Sequence, residues 1–194
     1  MIKAIVELRG ISPYSPGQHY DVPKLKGETL KEYEARTFRE RLHINEANEV
    51  VMPQTALKNC LWDAAKYKSV QIPGKGKSTY TKHFESGIMV MEPMLLLANK
   101  QPIQKESVPP NWIFVPSDGM KGGGKRVEKC FPIVHQWGGS VVFYVLDEII
   151  HKDVFRDTLE TAGKFIGLGT FRPARGGFYG RFEICKFDWE MDDD

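Results

Sequence analysis

Val51-Met52-Pro53-Gln54-Thr55-Ala56-Leu57-Lys58-Asn59-Cys60-Leu61-Trp62-Asp63-Ala64 is the stretch on which the reading of the fold turns. Extended apolar residues end at Met52, and Pro53 opens a helix. Proline is tolerated in a first turn, where the backbone N–H has no intrahelical partner. Leu57, Cys60, Leu61 and Ala64 fall at i, i+3, i+4 and i+7, the period of a core-facing helical stripe. A helix is expected from Pro53 to about Tyr67.

Upstream, Ile2, Ala4, Val6 and Leu8 alternate with Lys3, Ile5, Glu7 and Arg9, which predicts a strand. Gly10 ends it, and a turn-rich segment, 11–23, follows. The charged stretch 28–42 carries Leu30, Tyr33, Phe38 and Leu42 as a weak stripe, a surface helix. A short hairpin is expected over 43–52, around Asn45 to Asn48. Downstream, 70–84 is rich in Gly, Ser, Thr and Lys and is read as a flexible basic loop. Ile88 to Leu97 reads as a strand bulged at Glu92-Pro93. Further strands are expected at 112–116, 130–134 and 138–146. A second helix spans 151–166, with Phe155, Leu159, Ala162 and Ile166 on one face. A closing strand occupies 181–187.

Without its insertions the order is βαββαβ. That is an α+β, ferredoxin-like or RRM-like plan: one antiparallel sheet, two helices on one face, and long loop insertions. A single domain is expected over 1–187, with an insertion at 10–49 and an acidic tail at 188–194. The open sheet face is the usual nucleic-acid platform of such folds.

The 194 residues suffice for one well-cored domain. Hydrophobic content of 41% and charged content of 27% are those of an ordinary globule. No apolar run approaches the ~20 residues that span a bilayer. The N-terminus lacks a signal-peptide layout, so a cytoplasmic protein without a membrane partner is the default expectation. The three cysteines, Cys60, Cys130 and Cys185, show no zinc spacing and are read as small core residues. No metal or other cofactor is expected. The net charge is +2, but the five acids of 188–194 leave 20 acids against 27 bases in the rest. A basic body with an acidic tail suits a polyanion binder whose tail competes for the same groove.

Residues 163–182 hold six glycines, four phenylalanines, a tyrosine and four cations, with no acid. Glycine lets backbone approach a ligand closely. Arginine and exposed rings hold phosphates and stack on bases. The alternative is a Gly-rich turn between helix and edge strand, with its rings in the core. Loops 70–84 and 119–128 also combine glycine with cations. Three such loops point to a long anionic ligand tracked by Lys, Arg and backbone amides. The stretches 73–83 and 119–127 are expected to be poorly ordered without it.

Other chemistries are weaker. Gly119 to Lys125 matches G-x-x-x-x-G-K, but Arg126 follows where a phosphate loop needs Ser or Thr and then a helix. Nucleotide hydrolysis is therefore not expected. His19 with Tyr20, or His83 with Tyr80, offers an acid–base pair for metal-free RNA cleavage. Asp21 is a lone carboxylate.

Two segments resemble the RAMP superfamily, the RRM-like backbone and processing proteins of CRISPR effector complexes. Residues 51–59 are similar to its strand–Pro–x–Ser/Thr–x–Leu–Lys lead into the first helix. Phe165-Ile166-Gly167-Leu168-Gly169, with Arg172 and Gly176 to Phe182, is similar to its C-terminal Gly-rich signature. The 10–49 insertion and the single ferredoxin-like half depart from that pattern. The compact form and acidic tail look more like small stand-alone phage or prophage proteins. The resemblance implies single-stranded nucleic-acid binding, with subunits assembling along the strand.

The expected partner is single-stranded RNA or DNA, bound largely without sequence preference. Lys75, Lys77, Lys82, Lys121, Lys125, Arg126, Arg172, Arg175, Arg181 and Lys58 are candidates for phosphates. Tyr80, Phe171, Phe178 and Tyr179 are candidates for base stacking. Two alternatives stay open: a metal-independent endoribonuclease of RAMP type, and a phage protein-interaction or inhibitor module.

Overall fold

In the computed structural model, residues 1–117 and 124–191 are described. The elements are β1 (Ile2–Gly10), α1 (Leu30–Thr37), β2 (Val51–Met52), α2 (Gln54–Lys68), α3 (Thr81–Ser86), β3 (Ile88–Met89), β4 (Met94–Leu95), β5 (Leu97–Ala98), β6 (Gln101–Pro102), β7 (Pro110–Pro116), β8 (Arg126–Pro132), β9 (Gly138–Val145), α4 (Lys152–Thr161) and β10 (Phe182–Met191).

The main sheet runs β10-β1-β9-β5-β6, with β3 also on β9. Every pairing in it is antiparallel. With β3 and β5 as one interrupted strand, β1–α2–β3/β5–β9–α4–β10 is the expected ferredoxin-like βαββαβ. Alternation decides which face is buried. Ala4, Val6 and Leu8 of β1 lie inward, as do Val141, Phe143 and Val145 of β9. They meet the α2 stripe Leu57, Cys60, Leu61 and Ala64, and Phe155 and Leu159 of α4. Phe155 is the hub, with ring centroids 5.5 Å from both Phe143 and Trp189.

Four expectations need correction. Strands β7 and β8 pair with each other, outside the main sheet. Cys130 and Phe131, on opposite faces of β8, are both buried, and Glu34 of α1 accepts a hydrogen bond from the Cys130 N–H at 3.1 Å. The 10–49 segment is no loose insertion, because Tyr14 and Leu42 belong to the core. The 70–84 stretch is no loose loop: residues 81–84 begin α3, and 71–79 form a closed turn in which Gln71 bridges Thr79 and the Ile72 N–H donates to the Ser78 carbonyl at 2.8 Å. Ile72 and Tyr80 are buried, and that burial offsets the ordering entropy. Finally, Asp188–Met191 is the end of β10 rather than a tail. Those residues pair with Ile5–Ile2, and Phe187 and Trp189 pack on the core. Residues 192–194 lie outside the described residues.

Only two of the three cysteines fit the core reading. Cys60 and Cys130 are buried, whereas Cys185 is exposed where β10 shifts register against β1. Burial pushes the thiols of Cys60 and Cys130 up to about 12 and about 11. Ellman's reagent is therefore expected to titrate one thiol quickly in native protein and three in denaturant. Three fast thiols under native conditions would contradict this packing.

Candidate nucleic-acid interface

The Gly-rich segment is folded by its own glycines. The Leu168 N–H donates to the Gly180 carbonyl at 3.0 Å, and the Gly180 N–H to the Pro13 carbonyl at 2.7 Å. Gly180 has φ +76°, and a Cβ there would lie 1.9 Å from the Leu168 oxygen. The N–H groups of Gly167, Gly176 and Gly177 are likewise spent on the carbonyls of Ala162, Pro173 and Arg172. These glycines bring backbone to backbone. The expected cradle of free amides for phosphates is not what they form.

The structure sorts the expected side chains. Arg175 and Phe178 are exposed on this segment. The Arg181 guanidinium lies 5.7 Å from the Phe178 ring centroid. It also donates to the carbonyls of Lys164 at 3.1 Å and Phe178 at 3.2 Å. Arg172 instead turns inward. It donates to the Gly169 carbonyl at 3.4 Å and lies 3.9 Å from the Asp63 carboxylate. Phe171 sits edge-on to Phe131 at 5.0 Å, and the Tyr179 hydroxyl accepts from Asn111 at 3.2 Å. Both rings brace the foot of the β7–β8 hairpin. Tyr80 is only 5% exposed, so it offers no face to a base. Lys58 is half-buried on α2, and Lys75, Lys77, Lys82, Lys125 and Arg126 are exposed. Lys121 lies outside the described residues.

The three basic loops do not converge. Arg181 precedes Phe182, which pairs with Gly10 at one end of β1. Lys75 lies close enough to Asp147 to influence its carboxylate, and Asp147 follows Val145, opposite Ile2 at the other end. Nine residues of strand, roughly 30 Å, separate the two ends. Arg126 lies five registers beyond Phe131 along β8, roughly 17 Å from the hairpin foot. Strand β8 begins at Arg126, so no helix follows the G-x-x-x-x-G-K match.

Nor is the open sheet face the expected platform. It presents Lys3, Glu7 and Arg9 of β1, and Glu183, Lys186, Asp188 and Glu190 of β10. Arg9 pairs with Glu183 and Lys186 with Asp188. With four acids against three bases, that face has no basic excess to attract a polyanion.

Residues that the sequence reading passed over complete the basic end. Tyr67 of α2 and Phe165 stack with centroids 5.5 Å apart and planes at 22°. They are 63% and 51% exposed, and Phe178 is 61% exposed. Tyr67 falls at i+3 from Ala64 and i+7 from Cys60, on the edge of the core stripe, so no local pattern signalled its exposure. The histidines lie elsewhere. The His83 Nδ1 is 2.6 Å from Asp147, whose carboxyl is raised by burial but more than brought down again by the His83 hydrogen bond and nearby Lys75. His19 is exposed on the 11–23 segment.

The class defined by this architecture is a ferredoxin-like α+β protein. No protein-family model and no curated protein sequence matches the chain. Among solved structures it is similar to Cmr6 from Pyrococcus furiosus, with TM-score 0.50 and 12% identity over 95% of this chain and 99% of that one. It also matches a chain of the Type III-B Cmr-beta complex bound to cognate target RNA, with TM-score 0.48 and 14% identity. That match covers 97% of this chain, which spans 60% of the length of the other. At these identities the likeness is one of fold. Among the described residues no helix is long and apolar enough to cross a membrane.

Proposed function

We propose that this protein binds single-stranded nucleic acid, RNA or DNA, at the end of the domain built by the Gly-rich segment. The observation that carries the reading is the exposed Phe178 ring with Arg181 over it, beside exposed Arg175 and Lys164 in a stretch without acids. Cations there neutralise phosphates, and an exposed ring accepts any base. Such contacts are tolerant of sequence. The RAMP-like fold supports the same reading.

Fluorescence anisotropy with a labelled 20-nucleotide strand, titrated with salt, tests it. Arg175→Ala is expected to weaken binding equally on all sequences and to lower the log–log salt slope by roughly 0.7. Arg172→Ala is expected to leave the slope unchanged and to lower stability, because Arg172 holds Asp63 and Gly169. Absence of binding by the wild type, or an unchanged slope for Arg175→Ala, would overturn the assignment.

A further inference from the structure

The stacked Tyr67–Phe165 pair joins the end of α2 to the start of the Gly-rich segment. Tyr67 comes from the last turn of α2, and Phe165 from the π-helical turn 162–166 that follows α4. That wide turn brings Gly163 against β10, where a Cβ would lie 2.1 Å from the Phe182 oxygen. The turn carries Phe165 out of the core while Ile166 stays in it. Two large rings thus contact each other while more than half of each faces solvent. Packing on the core explains neither, since neither belongs to the buried cluster.

The surroundings give this pair a chemistry. A cleft beside it is lined by Asp63, Lys66, Tyr67, Phe165, Pro173 and Arg181. The Asp63 carboxylate is 2.9 Å from the Lys66 ammonium and 3.9 Å from Arg172, so its charge is already answered. Lys164 and Arg175 are exposed nearby on the turns that bound the cleft. Arg181 ties Phe178 to the turn 162–166, since it donates to the carbonyls of both Lys164 and Phe178 and lies over the Phe178 ring. Open aromatic faces among cations fit neighbouring unpaired bases and the phosphates between them. An apolar protein partner would bury the Lys164 and Arg175 cations without counter-charges.

We infer that Tyr67 and Phe165 form a base-stacking platform, continued by Phe178 across Arg181, for consecutive unpaired bases of a single strand. This rests on the nucleic-acid reading above and gives it a second, uncharged component. A duplex keeps its base faces stacked inside, so single strands are selected without any base-edge contact.

The test measures full-length protein with a labelled 12-nucleotide uridine run, its abasic counterpart and a duplex of equal length. Tyr67→Ala and Phe165→Ala are each expected to weaken uridine-run binding roughly 5- to 150-fold, the equivalent of ~1–3 kcal/mol per lost stack. The salt slope should stay constant, since no phosphate contact is removed. Tyr67→Phe should bind as the wild type does. The abasic strand should bind the wild type and the double alanine variant alike. Circular dichroism checks that these exposed substitutions leave the fold intact. Full uridine-run affinity in the folded double variant would overturn the platform and leave the cationic site standing. Wild-type protein that binds none of the strands would overturn the nucleic-acid reading itself, and the platform with it.

Discussion

Gly180→Ala is expected to lower the melting temperature by roughly 6–20 °C with no nucleic acid present. Its φ of +76° is in the left-handed region, and its Cβ position is 1.9 Å from the Leu168 oxygen. An alanine there costs ~1–2 kcal/mol in backbone conformation. It also breaks the close approach that carries Leu168 N–H to Gly180 and Gly180 N–H to Pro13, about 1 kcal/mol for each bond. With the steric clash the sum is ~3–5 kcal/mol, at ~2–4 °C per kcal/mol for a chain of this size. Differential scanning fluorimetry measures it. A variant that melts like the wild type yet loses affinity for single strands would return the glycines to the ligand-cradling role.

The second large effect belongs to Glu34. Its carboxylate is buried, 3.4 Å from the Arg41 guanidinium and 3.1 Å from the Cys130 N–H. Arg41 is itself wedged over the rings of Tyr20 and Phe131, at 5.0 and 4.8 Å, and its Nε has no partner among the described residues. Glu34→Ala strands that buried charge and an amide, which costs ~3–5 kcal/mol. The expected result is a fall in melting temperature of roughly 6–20 °C. Glu34→Gln keeps an acceptor for Cys130 and should cost less. A shift below about 2 °C for the alanine variant would show that α1 and the hairpin do not depend on this contact.

The regions of the fold that were legible are those with a local period. Pro53 with Leu57, Cys60, Leu61 and Ala64 marks α2, and the alternation from Ile2 to Leu8 marks β1. Alternation identifies strands but not their partners, so nothing local separated β7 and β8 from the main sheet. The end of β10 was hidden by its acids. The shift at Cys185 also breaks the period that would have joined Ile184 to Phe187 and Trp189. At the site, Arg172 lay in an acid-free stretch, yet Asp63 reaches it from a helix 109 positions earlier. Tyr80 stood among lysines and is buried because the turn at 71–79 folds it under. The Tyr67–Phe165 contact joins residues 98 apart, a relation no window along the chain contains.

The pairing of Ile2 with Met191 has a mechanical consequence. Two residues opposite each other in an antiparallel ladder have Cα atoms only about 5 Å apart. A tether attached at residues 2 and 191 would therefore load β10 as a zipper. Its rungs against β1 would open in succession from that corner, so little force would be needed. The same corner would let residues 2–191 be spliced into a surface loop of a host protein without stretching the loop. The Gly-rich segment, at the opposite end of the ladder, would face away from the host.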